Sequence, residues 1–158
     1  MVHKAPEFDL NIATREPYPG DMATAAEIAA LTDSYWRAAR HLNDQVATKG
    51  KPLTRMPVYL CGIQSIELYL VAFLRHSGRS NGEVRGFHHD FAASLDLACT
   101  VGLKIDARTA KHLASMTDCR EYVVSRYAPE AARKLSPITR LFRSIENISL
   151  ATHVALSA

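Results

Sequence analysis

The chain has 158 residues, 47% of them hydrophobic and 22% charged, with a net charge of +3 at pH 7. That balance excludes a disordered or fibrous chain and fits one globular domain large enough to bury a core without staples. The mild positive excess permits an anionic partner without demanding one.

Cys61, Cys99 and Cys119 are odd in number and form no CxxC pair, so reduced thiols in a cytoplasm are expected, with no metal site. The opening stretch MVHKAPEFDLNIATREPYPGD lacks an apolar h-region and carries no export signal. Residues 1–20 contain Pro6, Pro17 and Pro19 with no sustained period, and read as an extended arm ahead of a helical domain over 21–158. Thr24 to Glu27 spells a capping box. Ile28, Leu31, Tyr35, Ala38, Leu42 and Val46 follow at helical spacing, predicting a first helix from near Asp21 to Thr48, stopped by Gly50 and Pro52. Trp36 on this helix is expected in the core or at a dimer contact.

A second helix is predicted from Pro57 to near Gly78, its proline in the favoured first turn. Its apolar run approaches membrane-spanning length, but Gln64, Ser65 and Glu67 interrupt it, so a buried helix is expected and no membrane partner. The polar stretch GRSNGEVRG is expected to be a loop. A third helix begins near Asp90 and closes at Gly102. Asp106 caps a fourth, with Leu113, Met116, Val123, Val124 and Tyr127 on one side and Pro129 at its end. Ser136 and Pro137 read as N-cap and first residue of a fifth, with Ile138, Leu141, Phe142, Ile145, Ile148 and Thr152 inward. No segment alternates with a period of two, so the fold class is all-α: a single-domain, up-and-down bundle of four to five helices.

Glu67 poses the sharpest problem, because an ionised group buried among apolar neighbours costs several kcal/mol unless paired. Gln64, Glu67, Val71 and Arg75 form one narrow stripe on the second helix. Arg120 falls in phase with the apolar face of the fourth. Glu67 with Arg120 is therefore the first candidate pair and Glu67 with His89 the second, the three forming a structural polar core. Around the start of the third helix, Arg75, Arg79, Arg85 and His88 gather as the candidate phosphate-binding site. His88, His89 and Asp90 do not read as metal ligands, since adjacent side chains diverge and no further ligand pattern accompanies them.

Three stretches in order, IELYLVAFLRHSGRS, HHDFAASLDLACTVGL and CREYVVSRYAP, resemble the HEPN superfamily in its small prokaryotic members. The resemblance spans residues 57–129 and implies a HEPN-like bundle, often a homodimer, associated with RNA, nucleotides or a partner protein in defence, stress or toxin–antitoxin settings. It implies no cofactor. Many relatives are metal-independent ribonucleases that use an Arg followed, four to six residues later, by a His. This chain departs from that pattern: Arg37 with His41 and Arg108 with His112 are separated by three residues, and Arg126 stands where the histidine would follow Arg120. Arginine stays protonated and is no ordinary general base. The leading expectation is thus a binding module without catalysis. The alternatives are a ribonuclease with a displaced motif, using Arg120 and Arg126 for phosphate and His89 for proton transfer, and a non-catalytic, antitoxin-like interaction module.

Overall fold

The computed structural model describes residues 17–46 and 52–158, so the arm over 1–16 and the predicted helix end at Thr48 and Gly50 lie outside the described residues. Thr24 opens α1 (Ala25–Gln45) as the capping box requires. Its Oγ1 accepts the Glu27 N–H at 3.1 Å, and Glu27 Oε2 accepts the Thr24 N–H at 2.8 Å. A 3-10 turn over Pro52–Arg55 leads into α2 (Met56–His76). This is the central helix, packed by α1 and by the later helices described below. With the preceding turn it is long and apolar enough to cross a membrane, yet Ile63, Ile66, Leu70 and Leu74 are each at most 1% exposed within the bundle.

The predicted polar loop contains a short helix, α3 (Asn81–Arg85), which Ser80 caps by accepting the Glu83 N–H at 3.2 Å. α4 (Phe91–Thr100) is capped by the Asp90 carboxylate, which accepts the Ala93 N–H at 3.0 Å. α2 and α4 end alike. Gly78 (φ 83°) and Gly102 (φ 114°) take the left-handed position past the helix, letting Arg79 and Leu103 donate back to Leu74 and Ala98.

The predicted fourth helix is two helices, α5 (Ala107–Asp118) and α6 (Glu121–Tyr127). The break falls at Arg120, left-handed with φ 51°, in the same post-helical position that glycine holds after α2 and α4. The redirected chain leaves Arg120 exposed and Tyr127 74% exposed, while Glu121 is turned inward. A 3-10 turn over Pro129–Lys134 precedes α7 (Ile138–Leu156). Among the described residues, five of the seven α-helices have ten or more residues and no strand occurs. The fold is all-α, as periodicity predicts.

One predicted face and one predicted cap require correction. α1 buries Ile28, Ala29, Thr32, Trp36 and Ala39, whereas Leu31 and Tyr35 are 52% and 37% exposed. Small residues there let α1 lie close to α2, and the Thr32 hydroxyl donates to the Ile28 carbonyl at 2.7 Å, so its burial leaves no orphan. Trp36 meets Phe142 edge-on at 4.7 Å and belongs to the core. Ser136 does not cap α7. The cap position is Pro137, without a side-chain hydrogen bond, and the Ser136 hydroxyl serves elsewhere.

Candidate functional site

The half-buried stripe on α2 is where the sequence places it, and each polar member finds a different partner. Gln64 Oε1 accepts from Arg126 on α6 at 2.9 Å. Glu67 Oε2 lies 2.8 Å from His89 Nδ1. Arg75 donates to the Gly20 and Asp21 carbonyls at 2.7 and 2.9 Å, tying the N-terminal strap down. Glu67 is thus paired with its second candidate, His89, and not with Arg120. The side chains of Glu67 and His89 are 25% and 34% exposed, so this is a seam contact within reach of water.

Around Glu67 a compact cluster forms. The His89 ring stacks on Tyr122 with centroids 3.4 Å apart, and the Arg126 guanidinium lies 4.1 Å from the same ring. At these distances the two cannot share one face, so Tyr122 is sandwiched between them. His88 and His89 both have positive φ, 44° and 71°. Left-handed backbone at two successive non-glycine residues costs roughly 1–2 kcal/mol each. It turns the chain so that His89 reaches α2 and α6 and Asp90 still caps α4. Of the residues predicted as catalytic, His89 and Arg126 come together here; Arg120 does not, because the helix break carries it to the surface. Both groups that assemble are held by the protein's own side chains, and the buried Arg126 Nε has no partner among the described residues.

The predicted phosphate cations are also engaged. Arg85 pairs with the Asp21 carboxylate and covers the Tyr18 ring at 4.6 Å. Arg79 lies 3.3 Å from Glu83, one turn along α3. His88 is exposed and, with Arg75 and Arg85, borders a cavity of about 450 Å³ walled by Ile28, Leu68, Val71, Val84 and Phe87. Contacts within the protein account for these arginines: residues 18–21 for Arg75 and Arg85, and Glu83 for Arg79.

A second polar cluster lies deeper, and the sequence reading missed it. Glu121 is 2% exposed, and its Oε1 accepts both the backbone N–H of Ser136, at 3.0 Å, and the Ser136 hydroxyl. His112, 3% exposed, has Nε2 2.9 Å from Ser136 Oγ and Nδ1 2.7 Å from Ser144 Oγ. Because the one Ser136 hydroxyl proton goes to Glu121, His112 Nε2 carries the hydrogen that Ser136 accepts, and Nδ1 accepts from Ser144. A chain of hydrogen bonds therefore links α5, the start of α6, the 136–137 turn and α7. Tyr59 on α2 adds its hydroxyl to the Ser136 carbonyl at 2.7 Å. Burial, with Arg140 nearby, pushes the His112 pKa down to about 4, so the ring is neutral near pH 7. Burial pushes the Glu121 carboxyl upward, against the Ser136 hydrogen bonds that favour its charged form. With both nitrogens occupied, His112 is a structural imidazole.

Signals for part of this cluster were present. Thr109, His112 and Met116 share the inward face of α5, and Ser144 interrupts the apolar stripe Leu141, Ile145, Ile148. Glu121 had no such signal, since its phase depends on where the fourth helix breaks.

Beside His112 a cavity of about 410 Å³ opens between α5 and α7. Arg108, Lys111, Arg140 and Arg143 line it, all exposed residues. Arg108, Lys111 and Arg140 make no ion pair among the described residues, and Arg143 has only Asp106, 4.0 Å away. Four cations thus converge on the seam between α5 and α7.

Comparison of the chain with family models, curated proteins and solved structures finds no match.

Proposed function

We propose that this chain is a HEPN-like helical module that binds RNA or nucleotide phosphates and performs no catalysis of its own. The observation that carries the reading is the cation cluster on α5 and α7: Arg108, Lys111 and Arg140 make no close ion pair among the described residues, Arg140 acting on the buried Glu121 only at longer range, while Arg75, Arg79 and Arg85 are spent on the protein itself. Like charges in excess of their counter-charges repel, and a phosphate relieves that repulsion while releasing its own counter-ions. The ribonuclease alternative is disfavoured because His89 and Arg126 are bound to Glu67, Tyr122 and Gln64 rather than presented to a substrate.

The test is binding of mixed-sequence RNA without metal across a salt series. Affinity falling steeply with salt, with the RNA recovered intact, is the expected outcome. Absence of binding at low salt overturns the reading, and cleavage abolished by His89→Ala restores the ribonuclease. A second reading, a homodimer or partner-protein module, draws support from Leu150 and Val154, 66% and 63% exposed one turn apart on α7. Sedimentation of the full chain separates the two.

A further inference from the structure

Resting on the phosphate-binding reading, we propose that the cavity between α5 and α7 is a site for a phosphomonoester: inorganic phosphate, or the terminal phosphate of a nucleotide or RNA, in preference to the internal backbone. Three independent features of the cavity converge on such a group.

The first is charge. Arg108 and Lys111 approach from α5 and Arg140 and Arg143 from α7, so the cations surround the space instead of forming a track along it. Guanidinium forks grip the oxygens of a tetrahedral anion from several directions at once. A phosphomonoester offers three terminal oxygens and close to two charges near neutral pH. An internal phosphodiester offers two free oxygens and one charge, with chain continuing on both sides, and fits a surrounded pocket poorly.

The second is the floor. His112 and Ser144 line the cavity from below but are committed to the buried chain of hydrogen bonds, with the imidazole uncharged. Thr109 differs. It is 1% exposed and lines the same cavity, and its hydroxyl lies beside the Asp106 carboxylate. The one hydroxyl proton can be turned from that carboxylate to a ligand oxygen.

The third is size. The volume, about 410 Å³, exceeds what a lone phosphate fills and leaves room for an attached sugar.

The experiment compares one RNA oligonucleotide in three forms, unphosphorylated, 5′-phosphorylated and 3′-phosphorylated, with inorganic phosphate as competitor, on the full chain and on Arg108→Ala/Arg140→Ala. Both substituted residues are exposed, and unchanged thermal unfolding of the variant establishes that it is folded. The expected result is that an end phosphate tightens binding by about tenfold or more, that inorganic phosphate abolishes the difference, and that the variant loses it. If all three RNAs bind equally and phosphate does not compete, the pocket is overturned while RNA binding stands. If inorganic phosphate binds the wild type and not the variant but no RNA binds, the pocket stands and the RNA reading falls. Binding of only one phosphorylated form says which end is taken.

Discussion

At the scale of single residues, His112 has both ring nitrogens taken by serine hydroxyls and a pKa brought down to about 4 by burial first and Arg140 second. The unfolded chain, with an ordinary value of 6.5, binds a proton between these limits and the native state does not. Stability contributed by the neutral ring is therefore present above pH 6.5 and lost as the pH falls toward 4. The full span corresponds to about 3 kcal/mol. Glu121 works in the opposite direction: its raised pKa penalises the native state as the pH rises above the ordinary 4.5 and relieves it on acidification. Measured against His112→Gln, the wild-type advantage in thermal unfolding should shrink steadily from about pH 6.5 to pH 4. A difference that stays constant over that range rejects a buried neutral histidine.

At the scale of elements, the decisive event is the break between α5 and α6. α2 and α4 end with glycine in the left-handed position, at Gly78 and Gly102; α5 ends the same way with Arg120. Arginine is strained there, while glycine adopts the conformation freely. Arg120→Gly should raise stability by roughly 0.5–1 kcal/mol in chemical denaturation, since the exposed side chain gives up no ion pair among the described residues. A loss of stability would mean that the chain runs through this point as one helix, with Arg120 inward. The same break explains the swap of partners at Glu67. Once Arg120 leaves, α6 offers Tyr122 and Arg126 to the α2 seam, and the left-handed pair His88–His89 delivers the imidazole to the carboxylate.

At the scale of the whole molecule, α2 is the axis against which α1, α4, α6 and α7 pack, and Gly62 is where α7 lies tight against it. A Cβ added at Gly62 would meet Leu141 Cδ2 at 3.0 Å and Ile145 Cδ1 at 3.3 Å. Leu141 and Ile145 are fully buried, so a large residue at 62 has nowhere to go without separating the helices. Gly62→Leu should destabilise the fold by at least about 2 kcal/mol, as overpacking of a dense core does. Unaltered unfolding would show that α2 and α7 do not meet at this point. The molecule is further tied by Asp33, whose Oδ1 accepts from the Tyr69 hydroxyl at 2.5 Å and lies 2.9 Å from His153 Nε2, joining α1, α2 and α7. The basic cavity belongs to this scale too, because its cations come from two helices far apart in the chain, with Arg108 and Arg140 brought together only when α5 packs on α7.

Read alone, the sequence determined what depends on local periodicity and capping. The all-α class, the ends of α2 and α4, the capping box at Thr24 and the half-buried stripe Gln64–Glu67–Val71–Arg75 all follow from neighbours within one or two turns. Tertiary structure decided what depends on phase between helices. Which face of α1 turns inward is settled by Trp36 and the small residues that let α1 approach α2. Glu67 chooses His89 over Arg120, and Glu121 enters the core, because a single left-handed residue resets the rotation of everything after it. Convergence of Arg108, Lys111, Arg140 and Arg143 is equally invisible in the linear chain, where each reads as a solvated charge. Helical periodicity is written in residues a few positions apart, whereas a site is written in distances across space, and only packing converts one into the other.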